Sequence, residues 1–262
     1  MIKNAVYSSS GMQHFGKQVA EILNWPLFVS TPVGDVERVL IIGMYDPPMY
    51  EQTLSDTARA KERIIQWCGT DVQLLQHSQA LPFATHICDG EKLQDELRHK
   101  HIEAEVVMMP TLVHARVTPM PKDKVLAFYS GTNAEKYGAP IVKAVMDCLP
   151  EDWQLFSYAF GQFSPIEMES IIEQSTAYIR LTRHDGGMVS AREFLEVGKP
   201  VIVTQPLKFA QVVNPDDLVS VVKAVRRAGE QKEPNQNSID YYTKFNSQER
   251  YLESLRGVGV IE

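Results

Sequence analysis

The chain predicts an α/β protein made of two consecutive units, each a parallel sheet covered by helices on both faces. Three observations carry this. Short runs rich in Val, Ile, Leu and aromatic residues alternate with longer stretches of helical period along most of the chain, which is the signature of βαβ units. The alternation breaks once, over 111–124, where Pro110, Pro119 and Pro121 withhold backbone donors and disfavour helix before them. The length of 262 residues suits two compact domains of about 100–150 residues each.

The first unit is expected to span 1–115. A strand over 4–8 leads into a helix over 11–23 with Phe15, Val19, Ile22 and Leu23 on one stripe. Strands follow over 27–30 and 38–44. Ser55 is expected to cap a helix through Cys68 that buries Ala58, Ile64, Ile65 and Trp67. Short strands are read at 72–75 and 84–88. Asp89 reads as the N-cap of a helix to about Lys100, with a strand over 105–109 after it. A connector over 116–123 joins the second unit, 124–235. There the strands are 124–130, 153–159, 177–181 and 200–204, and the helices are 139–148, 166–174 and 190–197. A last helix of this unit opens at Pro215-Asp216-Asp217 and runs to about Arg227. The tail, 236–262, is expected to be an amphipathic helix carrying Ile239, Tyr242, Phe245, Leu252 and Leu255. Such a helix is marginal alone in water, so its apolar face must pack back on one of the units.

Composition narrows the function classes. With 44% hydrophobic and 23% charged residues, collagen-like, low-complexity and wholly disordered chains are excluded. The 26 basic and 33 acidic residues give a net charge of −7. They are spread evenly: 10 and 14 over 1–120, 16 and 19 over 121–262. Neither half is a basic nucleic-acid-binding body. No apolar run approaches the roughly 20 residues of a membrane helix; the longest, 39–45, is interrupted by Gly43. No membrane insertion is therefore expected. The first residues run straight into a strand, so no secretory signal is expected. Cys68, Cys88 and Cys148 are odd in number and lack C-x-x-C spacing, which fits free thiols in a reducing cytoplasm.

The most informative segment runs from His184 to Thr204: strand, glycine turn, helix, glycine stop, strand. Gly186 and Gly187 permit positive φ and close backbone approach. The unpaired amides at the start of the next helix suit an anionic oxygen. Asp185 lies at the mouth of the turn, and Glu193 stands about two helical turns inside. The eight-residue spacing lets both carboxylates face one crevice at the carboxyl end of a parallel sheet, where open α/β folds bind ligands. The bland alternative is a turn aspartate that caps a helix and a solvated glutamate. No D-x-D motif and no His/Cys cluster of ligand spacing occurs, so no metal is expected.

D-x7-E, followed after five residues by Lys199-Pro200-Val201-Ile202-Val203-Thr204, resembles the donor-site signature of retaining glycosyltransferases of GT-B fold (the family 4 and trehalose-phosphate-synthase-like kind), which have two Rossmann-like domains. The commoner motif begins with Glu; a D-G-M variant is close to Asp185-Gly186-Gly187-Met188. The segments 124–131, Lys136-Tyr137-Gly138, Leu149-Pro150 and 172–181 follow the order of the family's C-terminal domain. The resemblance covers 124–227 well and 1–110 loosely. It implies transfer of a sugar from a nucleotide-sugar donor with retention, by front-face attack assisted by the leaving phosphate. Glu193 would bind the ribose hydroxyls. Asp185 would lie beside the transferred sugar and diphosphate, with the amides of Gly186, Gly187 and Met188 near them. The family places an Arg and a Lys five residues apart on the diphosphate. Here Lys136 matches the Lys, whereas the Arg position falls in Ser130-Gly131-Thr132; Arg183 or Arg180 would have to substitute. In the first unit the resemblance points to Ser8-Ser9-Ser10-Gly11-Met12-Gln13-His14-Phe15-Gly16, with Gly11 and Gly16 making room. It also points to His86 on the acceptor side and to Tyr45-Asp46-Pro47-Pro48.

The nucleotide-sugar is a substrate, so no cofactor is implied. The acceptor is unidentified: a modified DNA base fits a minimal enzyme of phage or viral type, but the acidic charge does not support it. Domain closure about 111–124 would expel water from the reaction. Two rivals share the fold: a non-catalytic nucleotide- or sugar-binding module, and a sugar-nucleotide epimerase with a histidine among its carboxylates.

Overall fold

The computed structural model describes residues 2–44, 47–75, 84–131, 133–159, 162–184 and 188–262. They fold into two compact α/β units, one formed by Met1–Pro110 with Gln248–Glu262 and the other by Thr111–Ser247.

In the first unit the chain runs β1 (Ile2–Ser8), α1 (Gln13–Leu23), β2 (Leu27–Val29), β3 (Val36–Ile42), α2 (Pro47–Asp56), β4 (Glu62–Trp67), α3 (Thr70–Leu74), β5 (Ala84–Cys88), α4 (Glu91–His99) and β6 (Glu105–Val106). All described pairings are parallel, in the order β2-β1-β3-β4-β5-β6. Because side chains alternate across a strand, a sheet buried on both faces needs continuous apolar runs. Val39 and Ile41 pack on one face with Tyr7, Ile65 and Trp67, while Leu40 and Ile42 pack on the other with Val6, Ile64 and Ile87.

The second unit runs β7 (Lys124–Tyr129), α5 (Ala139–Asp147), β8 (Trp153–Tyr158), α6 (Pro165–Gln174), β9 (Ala177–Arg180), α7 (Val189–Glu196), β10 (Val201–Val203), β11 (Gln211–Val212), α8 (Leu218–Ala228) and α9 (Gln236–Phe245). Its sheet is again parallel, ordered β11-β10-β9-β7-β8. Helix starts are signposted in the sequence. Ser164 and Glu167 form a capping box ahead of Pro165, and Asp217 accepts the Ser220 amide at 3.1 Å. After α9 the chain returns to the first unit as α10 (Gln248–Gly257), whose Tyr251 and Leu255 join Val6, Leu40 and Ile42.

Four local expectations are corrected. The helix expected over 55–68 is the end of α2, a turn, and strand β4; Ile64, Ile65 and Trp67 are apolar because both sheet faces are buried, not because they share a helix stripe. The strand expected at 72–75 is α3. Gly90, not Asp89, precedes α4, and Asp89 instead accepts the Met109 amide at 2.9 Å. The single tail helix is two, broken at Asn246–Ser247, where Asn246 caps α9 and the chain leaves the second unit.

The proline-rich segment expected as a linker lies on the second unit. Glu193 Oε1 accepts the Leu112 and Val113 amides at 3.1 Å each, and Glu173 Oε1 accepts from the Arg116 side chain at 3.2 Å. Prolines remove helix from this stretch, so its amides need side-chain acceptors. Among the described residues no helix is long and apolar enough to cross a membrane.

Candidate functional site

In the second sheet the chain steps from β7 to β8 on one side and then to β9 on the other. Strand order therefore reverses between β7 and β9, and their carboxyl ends open the crevice where doubly wound sheets bind ligands. Tyr129 ends β7, Tyr158 ends β8 and Arg180 ends β9. Helices α5 and α7 both begin at this edge, after the loops that leave β7 and β9.

Arg180 is only 9% exposed. Its guanidinium lies 4.7 Å from the ring centre of Tyr129 and 4.8 Å from that of Tyr137, and the two rings meet edge-on at 5.1 Å. Cation–π contact with two rings that also touch each other helps to hold the group in place. The loop is built around this stack. Gly131 has φ +58°, and a Cβ there would stand 2.1 Å from Tyr137 Cε2. At Gly138, φ +86°, a Cβ would stand 2.7 Å from Leu181 Cβ. Only glycine tolerates both the conformation and the contact, so the loop before α5 lies directly on the exit of β9. Lys136 is exposed in this loop, its amide held by Asn133 Oδ1 at 3.1 Å.

The α7 side is more deeply buried. Asp185, Gly186 and Gly187 lie outside the described residues. Met188 is the N-cap of α7 in left-handed conformation, φ 48°, ψ 48°. Glu193 is 4% exposed and is pushed up to about 7 by burial, against which the Leu112 and Val113 amides act. Its Oε1 is committed to those amides, and among the described residues Oε2 accepts no hydrogen bond. Arg192, fully buried, donates to Asn246 Oδ1 at 3.4 Å. Glu196 takes Asn246 Nδ2 at 2.7 Å, Thr111 Oγ1 at 3.2 Å and His114 Nδ1 at 3.3 Å. The Glu196 hydrogen bond raises the pKa of His114. The helix of the motif, α7, thus also anchors residues 111–114 and 246. Lys199, from the motif's Gly-Lys-Pro step, is buried and donates to the Glu173 carbonyl at 3.1 Å, at the last turn of α6, where a cation is favoured.

Of the two arginines considered for the diphosphate, Arg183 points to the surface, ion-paired with Asp216 at 2.6 Å with both side chains mostly exposed. Arg180 is the one at the strand ends.

In the first unit the strand order reverses between β1 and β3. Ser8 and Ser9 are buried at the carboxyl end of β1, and their hydroxyls have no hydrogen-bond partner among the described residues. A Cβ at Gly16 would stand 2.5 Å from Ser8 Oγ, so this glycine lets α1 lie on β1; one at Gly11 would meet nothing within 4 Å. Asp71 is buried and accepts the amides of Met44, Cys68, Gly69 and Val72 at 2.7–3.3 Å, tying the loops that leave β3 and β4. Burial raises its pKa against these four amides. Sequence reading did not single it out, although an aspartate just after a Cys-Gly-Thr turn is a loop-capping signal. His86 is the middle residue of β5, not its end, and its Nδ1 accepts the buried Trp67 Nε1–H at 3.2 Å. The residues Tyr45 and Asp46 lie outside the described ones.

A groove of about 680 Å³ also lies in the first unit, lined by Lys3, Trp25, Arg38, Lys61, Glu62 and Arg256 among others. It opens at the amino ends of β1, β3 and β4, away from the ligand end of such sheets. Four of its charged residues pair with one another: Lys3 with Glu262 at 3.0 Å and Arg38 with Glu62 at 2.7 Å.

No protein-family model matches the chain, and no curated protein matches its sequence. Solved structures do match. A sucrose-phosphate synthase from Thermosynechococcus elongatus aligns over 98% of this chain and 96% of its own, with TM-score 0.67 and 11% identity. An α,α-trehalose 6-phosphate synthase from Burkholderia multivorans aligns over 86% of this chain and 71% of its own, with TM-score 0.61 and 10% identity. The pneumococcal O-GlcNAc transferase GtfA, solved with UDP and GlcNAc, aligns over 84% and 56%, with TM-score 0.58 and 13% identity. TarM aligns with TM-score 0.57 and 11% identity, and the chain spans about half, 54%, of its length. The chain has the two-unit α/β fold of GT-B glycosyltransferases.

Proposed function

We propose that the chain is a glycosyltransferase that moves a sugar from a nucleotide-sugar donor to an unidentified acceptor, with retention of configuration and without a metal. The observation that carries this reading is the edge where the second sheet reverses its strand order. Two helices, α5 and α7, start there, and Gly138 packs on Leu181 so that their approach loops touch. Helix N-termini offer unpaired amides and positive potential, which is what a diphosphate leaving group needs where negative charge develops. Lys136 adds a mobile charge beside α5.

In this reading Asp185 lies beside the transferred sugar. The amides of Gly186, Gly187 and Met188 receive sugar or phosphate oxygens, and Glu193 offers Oε2 to the ribose while Oε1 holds the connecting segment. The first unit, with the loop containing Gly11 and with His86, takes the acceptor. Retention by front-face attack needs no protein nucleophile, because the leaving phosphate takes the acceptor proton. Cytoplasmic residence belongs to the same reading. The likeness to glycosyltransferases in fold, and GtfA having been solved with UDP and GlcNAc, support it.

A second reading is a non-catalytic nucleotide- or sugar-binding module. It is favoured by the absence of a basic residue in Ser130-Gly131-Thr132 and by the commitment of Glu193 Oε1 to backbone amides. An epimerase would need His86 free to move a proton, yet its Nδ1 already accepts from Trp67. Incubation with UDP-, GDP- and ADP-sugars, with and without candidate acceptors, separates these readings. Release of free nucleotide that Asp185→Ala abolishes is the result expected. Tight binding of a nucleotide-sugar with no turnover in any acceptor mixture would favour the module.

A further inference from the structure

We propose that the outer edge of β8 is an interaction surface to which a second copy of this chain adds its own β8. The two strands run antiparallel about a two-fold axis and join two sheets into one. This surface is independent of the donor reading above. Among the described residues the two sheets end in β2, β6, β8 and β11. Strand β2 has three residues, and β6 and β11 have two each. Edges that short offer little for another strand to pair with. Strand β8 has six, Trp153–Tyr158. Long edges are normally protected by charge, proline or a bulge, yet Trp-Gln-Leu-Phe-Ser-Tyr carries no charged residue and no proline. Its middle is open: Gln154, Leu155 and Ser157 are exposed, Leu155 to 41%. In the first turn of the next helix, α6, Ile166 is 77% exposed.

The backbone defines the register. Along a strand in a parallel sheet, successive residues turn their N–H and C=O groups alternately to the two sides. The Tyr158 carbonyl accepts the Ser130 amide at 2.8 Å and so faces β7, which leaves Leu155 and Ser157 turned outward. Both ends of the edge are closed. The Trp153 amide donates to the Pro150 carbonyl at 3.1 Å, and the Ala159 amide to Gln162 Oε1 at 2.9 Å. Two outward residues flanking Phe156 are what a two-fold antiparallel pairing uses. Leu155 of each copy exchanges both hydrogen bonds with Ser157 of the other, and the axis passes beside Phe156. The two Phe156 side chains then meet as a close cross-strand aromatic pair, each already packed on Phe163 at 5.8 Å. Charge permits an identical partner. The chain carries a net charge of −7, but none of it lies in the paired segment. Asp152, four positions before Phe156 and paired with Lys124 at 2.7 Å, falls at the far end of the strand. The two copies of Asp152 stand about 27 Å apart, well beyond the roughly 8 Å over which salt screens charge.

The test is light scattering of the whole chain on a gel-filtration column over a wide range of concentration. The wild-type chain should run at twice the mass of one copy and fall toward one copy on dilution. Leu155→Lys puts a charge at an exposed position of the edge. It should leave a monomer with unchanged circular dichroism and melting temperature. A second pair of variants fixes the register in a Cys148→Ser background, which removes the exposed native thiol. Phe156→Cys should cross-link to its own copy under mild oxidation, because Cα atoms about 4.5 Å apart suit a disulfide. Gln154→Cys, whose two copies would stand about 14 Å apart, should not. If Leu155→Lys fails to fold, the cysteine pair decides. A wild-type chain that is monomeric at every concentration overturns the proposal, even if the edge then captures a strand of another protein. A dimer that folded Leu155→Lys leaves intact, or that Gln154→Cys cross-links and Phe156→Cys does not, overturns it as well.

Discussion

Glu193 Oε1 accepts the Val113 amide at 3.1 Å from a carboxylate that is 4% exposed. An acidic residue in the middle of α7 therefore holds the first residues that enter the second unit, and does so from a site that disfavours its charge. The two amides offset part of the desolvation but not all of it.

That arrangement sets a pH dependence. The carboxyl of Glu193 is raised from 4.5 to about 7 in the folded chain. Between these values the folded state holds a proton that the unfolded state has released, so stability falls as pH rises from about 4.5 to about 7. At 1.36 kcal/mol per unit the full effect is about 3 kcal/mol. Glu193→Gln keeps an acceptor for the two amides and cannot ionise. It should raise the urea midpoint at pH 8 and change it little at pH 4.5, and equal shifts at both values would contradict the buried charge. If Glu193 also holds the ribose, the same variant weakens nucleoside binding.

Gly131→Ala places a Cβ about 2.1 Å from Tyr137 Cε2 at φ +58°. Left-handed strain and overpacking together cost about 2–4 kcal/mol. The ring should be displaced, so the denaturation midpoint of the second unit falls. An unchanged midpoint would show that the loop has room to relax.

Asp71→Ala leaves the amides of Met44, Cys68 and Gly69 without their acceptor, while the Val72 amide keeps the Gly69 carbonyl at 3.1 Å. The cost should be about 3 kcal/mol or more, since several donors are orphaned in the core at once. Cys68 reports on it. Burial pushes that thiol well up, Cys88 is buried and raised to about 12, and Cys148 is exposed. A thiol reagent should find one fast cysteine in the native wild-type chain and a second, Cys68, in the variant. A single fast thiol in both would mean that the loops hold without Asp71.

Lys136→Ala should weaken a nucleoside diphosphate more than its nucleoside, and the difference should shrink in high salt because Lys136 is exposed. Equal losses on the two ligands would remove Lys136 from the phosphate site.

Several features were legible from residue order because they are local. The uninterrupted apolar run of Val39, Leu40, Ile41 and Ile42 announces a strand buried on both faces, and the packing divides it between two cores. Ser164-Pro165 and Asp217 announce helix starts through caps that need only neighbours three residues away. The same locality misled at 55–68. There Ile64, Ile65 and Trp67 satisfy a helical stripe as well as a double-faced strand, and periodicity alone does not separate the two.

What residue order determined by itself is the alternation of strands and helices, since it depends on contacts a few residues apart. What only the tertiary structure decided is the use of the charged groups. Arg180 and Arg183 are three positions apart and alike on paper; one is clamped by Tyr129 and Tyr137, the other is paired with Asp216 in solvent. The reason is that a charge takes its pKa, its partner and its freedom from whatever distant segment packs against it. Tyr137 is 43 residues from Arg180 and Val113 is 80 from Glu193, and no local pattern specifies meetings at that separation.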